Sequence, residues 1–228
     1  MRTVAIIQAR IGSSRLPSKV LLRLGGKPVL QHVIERALAM KTVDEVVCTF
    51  PREYSSESLV TIAKFCKVRY FLGPENNVLE RFYLAAAESN ADTIVRITAD
   101  CPLFDPGVGD KVVSLRKSEA AEYASNVWPR SFPKGLDCEA FTMRALSKAY
   151  SCATEEYDLE HVTPYIVRNN DRVNLPSGRF DLARLRLVID TMDDYRFLKK
   201  LFEFEFKTTE DIVKILKSNP DLKHELTA

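Results

Sequence analysis

The stretch Thr3-Val-Ala-Ile-Ile-Gln-Ala-Arg-Ile-Gly-Ser-Ser-Arg-Leu-Pro-Ser-Lys-Val-Leu-Leu-Arg-Leu-Gly-Gly-Lys-Pro28 decides how the rest of the chain is read. Val4 to Ile7 is a short apolar run rich in β-branched residues and bounded by polar ones, the pattern of a buried parallel strand. Arg10, Gly12, Ser13, Ser14, Arg15 and Lys19 follow at once. The first 34 residues carry six basic side chains and no acidic one, the first carboxylate being Glu35. Ligands of open α/β sheets bind beyond the carboxyl ends of the strands. Cations and small hydroxyls placed there suit a polyanion, with backbone N–H groups of a Gly/Ser turn adding an anion nest. The stretch fits neither the P-loop pattern nor the dinucleotide fingerprint. On local chemistry it is either a triphosphate loop or a solvated basic loop.

Working outward, 228 residues suffice for one large α/β domain. A net charge of +2 gives no reason to expect a nucleic-acid partner; the positive charge is local and points to a small anion. Five cysteines (Cys48, Cys66, Cys101, Cys138, Cys152) are odd in number, with no C-x-x-C pair, which fits reduced thiols and neither a disulfide frame nor a zinc site. The N-terminal apolar run is too short for a signal peptide, and no stretch approaches membrane-spanning length. The expectation is a cytoplasmic protein with no membrane partner.

Val29, Leu30, Val33, Ile34, Ala37 and Leu38 recur at helical spacing, predicting a helix to about Met40. Strands are expected at Glu45 to Phe50, Val68 to Phe71 and Thr93 to Thr98, with helices between, one capped by Ser56 and one preceded by Asn76-Asn77. Such alternation implies right-handed βαβ units on a mostly parallel sheet. Glu122 to Val127, Cys138 to Met143 and Arg172 to Leu175 read as short strands of an appended antiparallel piece. Leu185 to Ile189 reads as a buried strand ending at Asp190, before a helix whose first turn holds Asp193 and Asp194. Thr208 to Lys217 is a last helix, with Thr209 as its cap.

Asp100 and Asp190 thus end two candidate strands, and a parallel sheet could bring both to the rim of the basic loop. Magnesium bound with a nucleotide takes one or two carboxylates plus phosphate oxygens. A basic loop and two aspartates are what nucleotidyl transfer requires. Taken singly, each aspartate equally suits a turn or a helix cap.

The motif Ala9-Arg-Ile-Gly-Ser-Ser-Arg-Leu-Pro-Ser-Lys19 resembles the signature of cytidylyltransferases that activate acidic sugars, the CMP-Kdo and CMP-sialate synthetase family. Within it the chain is most similar to the spore coat polysaccharide biosynthesis protein F branch. Further matching blocks are Asn77 to Arg81, Arg96 to Leu103, Gly135 to Glu139, His161 to Ile166 and Asp190-Thr191. The resemblance implies a single Rossmann-like nucleotidyltransferase domain over 1–228, its mostly parallel sheet flanked by helices. It also implies a small antiparallel protruding segment at about 122–176 that helps a homodimer complete its sites. It implies Mg²⁺ and CTP, with Arg10, Gly12, Ser13, Ser14, Arg15 and Lys19 at the triphosphate and Asn77 and Arg81 near the base. Asp100 would be the principal metal ligand and Asp190 the second. Lys134, Asp137, Glu139 and His161 fall where the sugar acid is expected. Ala99 stands where the family usually has glycine, and Lys134 where it more often has arginine.

The implied reaction is attack of a 2-keto sugar acid on the α-phosphate of CTP, giving a CMP-sugar and pyrophosphate for surface polysaccharide. Arg15, Lys19 and Asp100 would carry the catalysis. Alternatives are a nucleotide-sugar-dependent glycosyltransferase, which would normally show a mid-chain Asp-x-Asp that is missing here, and a non-catalytic nucleotide-binding homologue, which would normally have lost the loop or the acids.

Overall fold

A computed structural model describes residues 1–177 and 183–222. The stretch that opens the chain forms β1 (Thr3–Gln8), and helix α1 (Val29–Leu38) follows the loop. Between them Arg23–Leu24 (β2) and Lys27–Pro28 (β3) make a small antiparallel hairpin. Its turn, Gly25-Gly26, has both φ angles positive (52° and 85°), the conformation that a two-residue hairpin demands and glycine supplies. The chain continues with β4 (Glu45–Pro51), α2 (Glu57–Phe65), β5 (Arg69–Gly73), α3 (Val78–Glu88), β6 (Thr93–Thr98) and α4 (Pro106–Ser118). It then runs through β7 (Tyr123–Ser125), β8 (Glu139–Thr142), α5 (Met143–Cys152), α6 (Glu156–His161), α7 (Pro164–Asn169), β9 (Arg172–Asn174), α8 (Met192–Leu201) and α9 (Thr209–Ser218).

Seven strands form one sheet in the order β5-β4-β1-β6-β8-β7-β9. It is mostly parallel, as expected; among the described residues β8 alone runs against its neighbours β6 and β7. The strand candidates of the 122–176 segment therefore extend the main sheet, and the separate antiparallel element is the β2–β3 hairpin. Alternation along β1 decides the layers. Ala5 and Ile7 pack under α1, α2 and α4, whereas Val4 and Ile6 pack under α3, α5 and α7. A third cluster joins Leu16, Leu103, Leu187 and Ile189 to α8 and α9.

Three local expectations are corrected. Leu185 to Ile189 is largely buried, but among the described residues it makes an isolated bridge from Arg186 to Lys134 and is no strand of the sheet. Its backbone pairs with a loop: Leu187 N–H donates to Lys134 O at 2.7 Å and Ile189 N–H to Asp100 O at 2.9 Å. Gly135 (φ +109°) permits this approach, since a Cβ there would meet Leu187 O at 2.4 Å. Ser56 makes no side-chain cap to α2, its hydroxyl being buried. Thr208, not Thr209, caps α9, in a reciprocal pair with Asp211; Thr209 instead donates to Asp105.

Candidate active site

The sheet order reverses between β4 and β6, on either side of β1, so the helices leave a crevice at the carboxyl ends of β1 and β6. A cleft of about 290 Å³ opens there, walled by the loop after β1, the end of β6, α3 and the end of α6.

The loop is built from within. Ile11 O accepts from both Ser13 N–H (2.9 Å) and Ser18 N–H (3.0 Å), which closes the chain into a compact turn. Leu16 is buried and pins it to the third core cluster. Ser18 adopts a left-handed conformation (φ 57°) and starts a short 3-10 turn, Lys19–Leu21, which aims the Lys19 ammonium back at the cleft. Among the described residues no chain acceptor takes the backbone N–H groups of Gly12, Ser14 and Arg15, and those of Ser14 and Arg15, which line the cleft, are available to an anion. Ser13, Ser14, Arg10 and Arg15 line the cleft. Gly12 does not, and a Cβ on it would make only an ordinary 3.7 Å contact with Glu75.

Asp100 follows β6 on a turn in which Cys101 N–H donates to Thr98 O at 3.3 Å. Ala99 needs no glycine, since its φ is not among the positive ones. The bond from Ile189 N–H to Asp100 O lashes the later segment to this turn and sets Asp190 beside Asp100. Lys19 Nζ bridges the two, at 2.6 Å from Asp100 Oδ2 and 2.9 Å from Asp190 Oδ1. Burial opposes the charge on Lys19, but the two carboxylates outweigh it and raise its pKa.

Asp190 is surrounded. Besides Lys19 it pairs with Arg15 (3.1 Å), Lys134 (3.3 Å) and Arg186 (2.8 Å). Burial alone would raise its pKa; Lys19 first, then Lys134 and Arg186, bring it down to about 2. Arg186 is shared with the fully buried Asp194 (2.5 Å), which also accepts the N–H groups of Asp190 and Thr191, both at 2.8 Å. Asp194 closes a capping box with Thr191 at the start of α8.

The remaining expected residues divide. Arg81 lines the cleft but is itself buried, donating to the carbonyls of Pro74 and Glu75, and burial, with Arg10 nearby, lowers its pKa to about 10. Asn77 caps α3 by accepting from Glu80 N–H (3.0 Å), and it lines a neighbouring hollow, not the cleft. His161 lines the cleft, its ring edge-on to Tyr157. Lys134 reaches the site through Asp190. Asp137 is clamped by Arg130 at 2.6 and 2.9 Å, and Glu139 is held by Arg96 and Tyr123; neither lines the cleft.

Sequence reasoning missed Gln8, Arg96, Thr98 and Glu160 in the cleft wall and Arg186 behind it. Arg96 carried a signal, as a charge in the middle of an apolar strand. Glu160, which pairs with Arg10 at 2.8 Å, carried none beyond its place next to His161.

Among the described residues no three His, Cys, Asp or Glu side chains form a metal cluster. The five cysteines are free thiols, and no described helix is long and apolar enough to cross a membrane.

A family model described as cytidylyltransferase matches residues 4–226. The spore coat polysaccharide biosynthesis protein SpsF of Bacillus subtilis is 30% identical over 98% of this chain and 97% of its own. The 3-deoxy-manno-octulosonate cytidylyltransferase of Geobacter metallireducens is 31% identical over 53% of this chain and 47% of its own. The solved structure of a cytidylyltransferase from Leptospira borgpetersenii superposes with a TM-score of 0.93 at 33% identity, covering 100% of this chain and 99% of that one.

Proposed function

The chain belongs to the cytidylyltransferase family, and from that premise we propose that it activates an acidic sugar. A hydroxyl of a 2-keto sugar acid attacks the α-phosphorus of CTP in line, the bond to the β-phosphate oxygen breaks, and a CMP-sugar and pyrophosphate result. The sugar-acid cytidylyltransferase relative supports the acceptor class, and the spore coat polysaccharide relative supports a role in surface polysaccharide synthesis.

The observation that carries the reading is the Lys19 ammonium set between Asp100 and Asp190, beside the backbone N–H groups of Ser14 and Arg15, which have no chain acceptor among the described residues. A triphosphate entering the crevice competes for Lys19, Arg15 and Arg10, and takes over the positive charge that the carboxylates now hold. Arg15 and Lys19 then offset the charge growing on the leaving pyrophosphate, while the loop N–H groups hold the phosphates in line. Asp100 and Asp190, facing one cation together, have the hard-oxygen character that suits magnesium with phosphate oxygens completing its shell. Mg²⁺ bound by these two aspartates would neutralise phosphate charge and make the attacking hydroxyl more acidic.

The test is pyrophosphate release with each of the four NTPs against a panel of nonulosonic and octulosonic acids, with magnesium present. Release with CTP and at least one acid, well above UTP, GTP and ATP, is expected. Equal or faster release with GTP would reassign the base.

A further inference from the structure

Two arginines line the cleft from outside the phosphate loop. Arg81 is tied to the carbonyls of Pro74 and Glu75. Arg96 is held differently. It stands mid-strand on β6, opposite Ile6 of β1 and Glu139 of β8. Its Nε donates to Gln8 Oε1 at 3.1 Å and its Nη1 to Glu139 Oε2 at 2.5 Å. The other oxygen of Glu139 accepts from the buried Tyr123 hydroxyl at 2.6 Å, and burial with Glu139 alongside raises that phenol's pKa, keeping it a donor.

Two donors are left over. Among the described residues Arg96 Nη2 has no chain acceptor, and it belongs to a cleft-lining side chain. The Gln8 amide is oriented by the same contact, because only its oxygen can accept from Arg96 Nε; its NH₂ also has no chain acceptor. Glu139 offers no oxygen in return, since both are engaged. A largely desolvated Arg–Glu pair, with Arg96 set between the buried Val95 and Ile97, does nothing for stability that an apolar residue could not do as well. A clamped guanidinium edge beside an amide NH₂ matches an acceptor-only, planar anion.

We propose that Arg96 and Gln8 form the subsite for the carboxylate of the acceptor acid, with Glu139 and Tyr123 as positioning residues that hold the guanidinium in register. The inference rests on the sugar-acid reading above and names how that acid is gripped. Lys134 is less suited to that grip: it is a point charge, 3.3 Å from Asp190. The Watson–Crick edge of cytosine also presents acceptors, so the test separates acid from nucleotide.

Steady-state kinetics in both substrates and calorimetric binding of CTP would be compared for the wild type, Arg96→Lys, Arg96→Gln and Tyr123→Phe. Loss of the fork should raise KM for the acid about tenfold or more in both Arg96 variants, with kcat changed far less. CTP affinity should stay within about twofold, which also shows that each variant is folded. Tyr123→Phe should raise the same KM by a smaller factor, about threefold, and leave kcat and CTP affinity alone. An unchanged acid KM in CTP-binding Arg96 variants overturns the subsite. So does weakened CTP binding with the acid KM unmoved, which would assign Arg96 to the base. A melting-temperature loss in Tyr123→Phe without any KM change makes the network structural only and overturns the positioning role. A wild type that turns over no acid at all defeats the parent reading and this inference together; an active wild type with insensitive variants defeats this inference alone.

Discussion

Asp100 and Asp190 meet the same ammonium from two walls of one cleft, in opposite electrostatic settings. Among the described residues Asp100 pairs with one cation, Lys19, and its side chain is 21% exposed on a turn closed by Cys101 N–H on Thr98 O. Asp190 has four cations around it, is 6% exposed, and its backbone is held by Asp194. The first carboxylate can change partner when a ligand arrives, since releasing Lys19 frees it. The second cannot be vacated without leaving Arg15 and Lys134 without a carboxylate and Lys19 and Arg186 with only Asp100 and Asp194 respectively. One aspartate is available for chemistry; the other also holds the wall together.

The largest expected effect tests the brace behind Asp190. Asp194→Ala strips Arg186 of both its contacts to that side chain and leaves the buried Asp190 N–H and the part-buried Thr191 N–H without this acceptor. Breaking a buried ion pair in this way costs roughly 3–5 kcal/mol, a fall in melting temperature on the order of 10 °C for a chain of this size. A thermal scan within 2 °C of wild type, the smallest shift that about 1 kcal/mol would give, would erase the distinction between the two walls.

Next comes the pair itself. Asp100→Asn should fold normally, because Lys19 keeps Asp190. Turnover should fall about 10³-fold, the upper end for a lost charge-stabilising group, at any magnesium concentration. Asp190→Asn should lower the melting temperature and keep a trace of activity that grows as magnesium or manganese is added, since a weakened site refills by mass action. Initial rates against metal concentration, with melting curves as the fold control, decide it. A lowered melting temperature with unchanged metal dependence would leave Asp190 a structural group only.

The legibility of the two walls in the sequence differs for the same physical reasons. β1 and β6 announce themselves because a buried parallel strand needs an apolar run: Val4 to Ile7 is unbroken, and Ile94 to Ile97 is broken only by Arg96. The basic loop of the cleft is legible because no core needs Arg10, Arg15 and Lys19 in ten residues. Leu185 to Ile189 misled because alternating and β-branched apolar residues suit any extended buried segment; that its partner is the Lys134 loop, admitted by Gly135, depends on packing that a local pattern does not contain. For the same reason Glu139 could be placed near the acceptor by resemblance, yet its bond to Arg96, 43 residues away, could not be read. Caps fell between: Thr191 and Thr208 both stand three residues before an aspartate, but only geometry chose Thr208 over Thr209.

A third measurement sharpens the contrast from the cation side. Lys19 pairs with both aspartates and its side chain is 12% exposed, whereas Arg15 pairs, among the described residues, with Asp190 alone and is 63% exposed. Lys19→Ala should cost turnover about 2.7–4 kcal/mol, as for a preorganised donor in a water-poor site. Arg15→Ala should cost about 1 kcal/mol or less in stability, as for a solvent-screened pair, and should lower turnover less than Lys19→Ala does. Equal kinetic losses would mean that nucleotide closes the loop and buries Arg15 as deeply as Lys19.

The smallest effect is a titration, and its sign follows from Asp190 alone. The cations hold its carboxyl at about 2 in the folded chain, against an ordinary value of 3.8. The folded state therefore binds this proton less readily than the unfolded chain does. The resulting stabilisation is fully present above pH 4 and is lost as the pH falls from there through about 2. A shift of this size corresponds to about 2 kcal/mol. Asparagine cannot titrate, so the gap in unfolding free energy between the wild type and Asp190→Asn should be widest near pH 6 and narrow steadily below pH 4. Urea melts of both proteins at steps between pH 6 and pH 2.5 measure it, other carboxylates cancelling in the difference. A gap that stays constant over that range would show that the four cations do not hold Asp190 ionised, and the two walls of the cleft would then differ in burial alone.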